Sequence, residues 1–344
     1  MTQYAFNGLL FSQRQTGVMR YTKEILKELD MMVKPGEFKL IVPEYATYIP
    51  KLKNIEIVRC GKIKGSLWEQ TCFPFYLKKN KLKGLNFNNT FPLICPGSIF
   101  IHDIAYKLHP EFGTTLHGKI SNIYHRAVFR MAALLKMPIM TVSHFSKYQL
   151  IDEYKIAPER ITVIGSAWQH FDNIDTDDSI LTDYGLENKK YYFSLGSLSK
   201  MKNTSWVFKA AKKNLNDIFV LAGAKSMADN ETYDISSNVK ILGYVSDEQI
   251  KSLIKHCKAF IYPSIYDGFG LPPLEALSQG VPVICSNAAC LPEIYGNSVH
   301  YIDPYDTDVD LDNILSQYID KPEAVLKKYS WKKSAEQLYE LLKK

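Results

Sequence analysis

Hydrophobic positions along the chain follow two alternating periods. Short runs of β-branched and aromatic residues predict strands at Phe38–Pro43, Ile55–Cys60, Ser98–Ile101, Ile139–Ser143 and Ile161–Gly165. Between them lie segments of helical period, such as Gly17–Met32 with Val18, Tyr21, Ile25 and Leu29 on one face. The second half repeats the alternation. Its predicted strands are Tyr191–Gly196, Asp217–Gly223, Val239–Leu242, Ala259–Pro263 and Pro282–Cys285, with helices near Thr204–Asn214, Ser246–His256 and Pro272–Gln279. Strand–helix–strand alternation of this kind predicts an α/β protein with parallel sheets covered on both faces.

The polar stretch 172–190, with five aspartates and few large apolar residues, reads as the boundary between two doubly wound domains, 1–172 and 173–329. An amphipathic helix at 330–344 follows, with Trp331, Ala335, Leu338, Leu341 and Leu342 apolar. Periodicity leaves open whether it closes the second domain or reaches back to the first. Ligands of doubly wound sheets bind beyond the C-terminal strand ends, so the expected site is a cleft between the two domains.

The 344 residues suit two domains at ~150 residues each. The longest apolar stretches fall short of the ~20 residues that span a bilayer, and MTQYAFNGLL lacks the basic segment and cleavage site of a secretion signal. Six cysteines without a C-x-x-C pair argue against a disulfide scaffold and a structural zinc site. A reduced, cytoplasmic protein is expected.

The net charge of +6 is uneven: residues 1–170 carry 23 Lys+Arg against 12 Asp+Glu, and residues 171–344 carry 19 against 24. A basic front half suits an anionic partner, although an uneven spread of solvated lysines gives the same count. All six arginines lie in the first half, so a phosphate held by side chains of the second half must rely on lysine.

Common nucleotide signatures are missing. No G-x-G-x-x-G follows the first strand, and no G-x-x-x-x-G-K-[ST] occurs, which argues against dinucleotide oxidoreductases and P-loop enzymes. No H-E-x-x-H is present, and the Asp-x-Asp spacings at Asp175/Asp177 and along 306–312 read as solvated turns; no metal is expected. The aromatic and basic residues form no repeated platform for nucleic acid.

The richest segment is Tyr262–Glu293, YPSIYDGFGLPPLEALSQGVPVICSNAACLPE. Here a strand ends, Gly268-Phe269-Gly270 form a loop, and Pro272-Pro273 open a helix whose unbonded first-turn N–H groups can meet an anion. Asp267 and Glu275 bracket the loop with seven residues between them, as acceptors for sugar hydroxyls or, more plainly, as a turn residue and an N-terminal helix carboxylate.

This string resembles the nucleotide-sugar motif of family 4 glycosyltransferases, retaining enzymes of the GT-B fold. That motif usually reads as an acidic residue, G-F-G-L-P-x-x-E-A and a following G-x-P-V strand. The resemblance covers nearly the whole chain. Gly17-Val18-Met19-Arg20-Tyr21, Trp68-Glu69-Gln70, Ile101-His102-Asp103 and Thr141–Lys147 resemble first-domain signatures. Gly196-Ser197-Leu198, Lys202-Asn203, Leu291-Pro292-Glu293 and Ser330-Trp331 resemble those of the second domain.

The resemblance implies two Rossmann-like domains facing each other across a cleft, with acceptor bound in the first and nucleotide sugar in the second. It implies that Glu275 holds the ribose and Asp267 a donor-sugar hydroxyl, beside Gly268 and the amides of Phe269, Gly270 and Leu271. Lys202 and Gly196 would lie at the diphosphate, Gly17 would let backbone approach it, and His102 with Asp103 would meet the donor sugar. Two departures stand out: Asp267 replaces the usual glutamate, and Ser197 lies where many members carry arginine, a loss Lys200 could offset, although a plain surface lysine is the better account of that residue. Front-face transfer is implied, with the leaving phosphate drawing the acceptor proton; His102 as general base is the rival.

On the acceptor side, Lys78, Lys79, Lys81 and Lys83 follow the aromatic run Phe73–Tyr76 and read either as an anionic-membrane contact or as a helix C-terminus. The expected reaction is hexosyl transfer, with mannosyl from GDP-mannose the leading choice, to a saccharide or lipid-linked acceptor of a surface polysaccharide such as O-antigen or capsule. UDP- and dTDP-sugars are the alternatives. A sugar-nucleotide epimerase and a non-catalytic saccharide-binding protein are the competing classes. No cofactor is expected beyond the donor.

Overall fold

The computed structural model describes residues 4–13, 16–113, 115–197, 199–223 and 234–343. The chain divides into two compact units. One comprises 1–107, 121–166 and 331–344, the other 108–120 and 167–330.

The first unit is built on seven parallel strands: β1 Tyr4–Asn7, β2 Phe38–Val42, β3 Glu56–Arg59, β4 Lys83–Asn86, β5 Ser98–Phe100, β6 Ile139–Thr141 and β7 Ile161–Val163. Their order is β3-β2-β1-β4-β5-β6-β7, so the direction of winding reverses between β1 and β4. The helix Gly17–Met32 forms as its periodicity predicts, with Tyr21, Ile25 and Leu29 in the core, and Thr16 caps it by accepting from the Met19 amide at 3.2 Å. The C-terminal helix Trp331–Lys343 packs on this unit. Trp331 meets Tyr21 edge-on at 5.6 Å, Ser334 donates to the Gly165 carbonyl at 2.8 Å, and Tyr4 donates to the Leu342 carbonyl at 3.0 Å.

The second unit holds six parallel strands: β8 Tyr191–Leu195, β9 Ile218–Ala222, β10 Val239–Gly243, β11 Ala259–Tyr262, β12 Val283–Ser286 and β13 His300–Ile302. Their order, β10-β9-β8-β11-β12-β13, reverses between β8 and β11. Every residue of β11 and β12 is buried, as expected of strands covered on both faces. Trp206, Phe219, Ile261 and Ile284 belong to one hydrophobic cluster of this unit.

Three strands escape the hydrophobic pattern: β1, β4 and β13. β4, with the sequence KGLN, contains residues of low strand propensity, yet it lies in the centre of its sheet between β1 and β5. Pairing on both sides overrides propensity there. The stretch before it folds as two helices, Gly65–Gln70 and Cys72–Asn80.

Candidate active site

In an open α/β sheet the crevice forms beyond the C-terminal strand ends, at the point where winding reverses. In the second unit that point is shared by the segments after β8 and β11, which carry Gly196–Lys202 and Asp267–Glu275. Lys202 Nζ lies 2.6 Å from Asp267 Oδ2 and donates to the Tyr262 hydroxyl oxygen at 2.8 Å. The Tyr262 hydroxyl donates in turn to the same Asp267 oxygen at 2.5 Å. Burial, reinforced by the Asp267 charge, pushes the Tyr262 hydroxyl far above its usual range, so it stays protonated and remains a hydrogen-bond donor to Asp267. The sequence reading gave Lys202 and Asp267 separate tasks; the structure joins them in one ion pair, partly open to solvent.

Each side of this pair is fixed from below. Asn203, at φ 52°, donates through its side-chain amide to the carbonyls of Pro263 at 3.1 Å and Pro304 at 2.7 Å, which ties the lysine segment to the loop after β11. Gly196 lies against Lys202: a Cβ there would come 3.3 Å from Lys202 Cγ. Ser199 accepts from the Lys202 amide at 3.4 Å and from Ser197 at 3.1 Å. Lys200 is exposed one residue further on, and Leu198 lies outside the described residues.

The glycine loop leads into the helix Leu271–Ser278. Gly270 sits at φ 78°, where a Cβ would come 2.4 Å from Leu291 Cδ2, and its carbonyl accepts from the Tyr295 hydroxyl. Pro272 and Pro273 remove two of the four first-turn donors, so the helix start holds fewer N–H groups for an anion than a helix of ordinary sequence. The amides of Phe269, Gly270 and Leu271 remain, and they make no hydrogen bond to another described residue.

Glu275 is buried and engaged: its Oε1 lies 2.9 Å from His170 Nε2, and both side chains are almost wholly enclosed. Nothing in the local sequence marks His170, because the partners stand 105 residues apart. Tyr262 is the other member that sequence reasoning passed over; its place at the end of a strand facing an acidic loop was the available signal.

Residues Gly17, His102 and Asp103 belong to the first unit. His102 follows β5, buried between Phe100 and Tyr21, with ring centroids at 4.6 and 5.2 Å. Burial holds its pKa down to about 4, against a smaller upward pull from the hydrogen bond to Phe87. The ring is therefore neutral at pH 7, Nε2–H donates to the Phe87 carbonyl at 3.0 Å, and Nδ1 is left as an acceptor. A ring so depressed is a weak base but a good acceptor for a hydroxyl. Asp103 accepts from the Ala105 amide at 2.9 Å and so starts the short helix Ala105–Leu108. Gly17 opens the helix Gly17–Met32, and a Cβ there would meet nothing within 4 Å, so packing does not demand glycine at this position.

The depressed His102 pKa makes stability pH-dependent. Below about pH 6.5 the unfolded imidazole takes up a proton that the native one refuses until about pH 4. Stability from this group is complete above pH 6.5 and is lost as pH falls through that window, on the order of 3 kcal/mol in all. Urea titrations at pH 7, 5.5 and 4.5 should show His102→Gln losing less stability than the parent over this range; parallel profiles would contradict the assignment.

Glu69 is buried beside the reversal point of the first sheet. Its Oε1 accepts from Asn7 at 2.7 Å, Thr90 at 2.8 Å and Asn88 at 3.1 Å. Burial raises its pKa while these donors lower it. The network ties β1 to the segment 87–90, which supplies the Phe87 carbonyl and the Asn89 side chain that hold His102.

Lys78 and Lys79 lie in the last turn of the helix Cys72–Asn80, Lys81 is its left-handed cap at φ 56°, and Lys83 opens β4. Phe73 and Leu77 of this segment are buried with Trp68 in the core. The four lysines thus divide between a helix end, where they oppose the dipole, and a strand. Among the described residues no group of three or more His, Cys, Asp or Glu is placed to hold a metal ion. No described helix is long and apolar enough to cross a membrane.

The two parallel-sheet units have the GT-B fold. Sucrose-phosphate synthase from Thermosynechococcus elongatus superposes with a TM-score of 0.73 at 13% identity, over 100% of this chain and 98% of that one. Residues 178–343 match the family described as glycosyl transferases group 1. O-antigen chain mannosyltransferase B of Escherichia coli is 27% identical over 343 residues, covering 89% of this chain and 87% of its own length. O-antigen chain mannosyltransferase RfbU of Salmonella typhimurium is 26% identical over 66% of this chain and 62% of its own. The chain belongs to the family 4 glycosyltransferases of the bacterial surface-polysaccharide type.

Proposed function

We propose that the protein is a retaining mannosyltransferase acting at the cytoplasmic face of the membrane, which moves a mannosyl residue from GDP-mannose to a lipid-linked saccharide of a surface polysaccharide. The observation that carries this reading is the Lys202–Asp267–Tyr262 cluster beside three uncommitted loop amides at the reversal point of the second sheet. The names of the two O-antigen relatives support the mannosyl choice.

Breaking the bond between the anomeric carbon and the phosphate oxygen leaves negative charge on the diphosphate. Lys202 and the amides of Phe269, Gly270 and Leu271 are preorganised donors for that charge, and their alignment needs no reorganisation as it develops. Asp267, an acceptor held by Tyr262, suits a sugar hydroxyl, and the second oxygen of Glu275 suits a ribose hydroxyl. In front-face transfer the acceptor oxygen bonds to the anomeric carbon as the phosphate oxygen departs, and that phosphate oxygen takes the acceptor proton. His102, neutral and acceptor-only at Nδ1, is suited to accept from a hydroxyl rather than to act as a base.

A thermal-shift panel of GDP, UDP and dTDP tests the donor. At about 100 times its Kd a ligand adds about 2.7 kcal/mol, which raises Tm by several degrees. GDP is expected to give the largest shift, and GDP-mannose with a lipid-linked acceptor is expected to yield GDP and an α-linked product. A larger shift with UDP or dTDP would displace the mannosyl reading, and a β-linked product would displace retention.

A further inference from the structure

Glu275 is the enclosed acceptor of the helix that follows the glycine loop, and one of its two oxygens is already taken. Its Oε1 meets His170 Nε2 at 2.9 Å, and the histidine and glutamate side chains are only 3% and 7% exposed. An ionised carboxylate accepts and never donates, so the imidazole N–H is the donor of this contact. Oε2 makes no hydrogen bond to another described residue. An enclosed carboxylate oxygen is costly to leave bare, and it calls for a donor brought by a ligand.

His170 is itself held. On its N-terminal side Trp168 donates through its indole N–H to the Leu326 carbonyl at 3.0 Å, and Gln169 donates to the Tyr329 carbonyl at 2.9 Å. The Tyr329 ring in turn meets Phe269 of the glycine loop edge-on at 5.1 Å. The short helix Gln169–Phe171, the segment 326–329 and the glycine loop thus form one connected frame, which leaves the imidazole little freedom to turn away from Glu275.

The position of Glu275 on its helix indicates which donor. Leu271 and Glu275 stand four residues apart on one face, ~6 Å along the axis, and a helical side chain leans back over the turn before it. An anion on the uncommitted Leu271 amide therefore has the Glu275 carboxylate about one turn away. In a nucleotide that is the place of the pentose hydroxyls, with the base lying beyond. The vicinal hydroxyls of ribose supply two donors, one for Oε2 and one for the lone pair that His170 leaves on Oε1. A 2′-deoxyribose supplies one and leaves an enclosed oxygen short.

We infer that His170 is the positioning residue that fixes Glu275 for the vicinal diol of a ribonucleoside diphosphate, so that the site selects ribonucleotide donors over 2′-deoxyribonucleotide ones. The inference rests on the reading of Glu275 as the ribose acceptor given above. It sets dTDP-sugars apart from GDP- and UDP-sugars, whichever base the enzyme prefers.

Isothermal titration calorimetry of GDP against 2′-deoxy-GDP, and of UDP against 2′-deoxy-UDP, tests it. In whichever pair binds, the parent is expected to hold the ribonucleotide about ten- to a hundredfold more tightly, the penalty for leaving an enclosed carboxylate oxygen without its donor. His170→Ala is expected to weaken the ribonucleotide and bring the two within about threefold, because Glu275 is then free to turn. His170→Gln keeps an N–H donor for Oε1 and is expected to recover most of the discrimination. A role confined to holding the fold would instead lower Tm and weaken both nucleotides together, with their ratio unchanged. Circular dichroism checks that each variant is folded, and the parent's own ratio depends on no variant. The inference is overturned if the parent binds ribo- and deoxyribonucleotide equally, which leaves sugar transfer itself standing, or if His170→Ala keeps the parent's ratio. Binding of no nucleoside diphosphate by the parent would overturn both the inference and the reading of the site beneath it.

Discussion

Lys202→Ala is expected to lower kcat/KM by about 10²- to 10³-fold while the protein stays folded. The lysine is the cation at the reversal point that meets both Asp267 and Tyr262, and the second half of the chain has no arginine to take its place. Its loss removes the charge that opposes the departing diphosphate and leaves Asp267 held by Tyr262 and Ser264 alone. The pair is partly exposed, so screening by solvent limits its contribution to stability, and Tm should move little. Steady-state kinetics with the donor that wins the thermal-shift panel supplies the measurement. Lys202→Arg should recover part of the loss by restoring the charge in a different shape. Unchanged kcat/KM in Lys202→Ala would remove the lysine from the reaction and, with it, the main support for the proposed site.

Gly223→Ala is expected to be the most damaging single-methyl change in the second unit. Gly223 follows β9 at φ 141°, and a Cβ there would lie 2.0 Å from the Gly196 carbonyl oxygen and 2.6 Å from its carbon. Those atoms are backbone, held where the Gly196 amide donates to the Ala222 carbonyl at 3.0 Å and the Gly223 amide to Gly243 at 2.7 Å. Neither strand end can yield without opening the sheet beside the lysine segment. A cost of about 3 kcal/mol or more follows, seen as a fall in Tm of roughly 6–12 °C. Gly17→Ala is the matched control, since its Cβ would meet open space, and its Tm should stay within about a degree or two of the parent. Equal behaviour of the two variants would contradict the geometry at Gly223.

The candidate site was legible in the sequence where its parts are contiguous. Asp267, the glycine loop and Glu275 lie in one segment, and the strand before and helix after them follow from local periodicity. The basic half of the chain was legible as charge, and Lys78, Lys79, Lys81 and Lys83 are exposed. The apolar residues that precede them divide, with Phe73 and Leu77 facing inward and Phe75 exposed. Arg126 and Arg130 were legible as charge but not as a cavity lining, since Lys107, Tyr154 and Lys155 beside them come from other elements. Weak strands were lost for a related reason: β4 is a strand only because β1 and β5 flank it.

By itself, then, the order of residues determined the alternation of strands and helices, the two-domain α/β class, and the acidic glycine loop, all of which depend on spacings within about ten residues. The tertiary structure decided which charges meet: Lys202 with Asp267 across 65 residues, His170 with Glu275 across 105, and the neutral state of His102 behind Phe87. Coulombic energy and desolvation depend on distance in space and on what excludes water, and neither is written in distance along the chain.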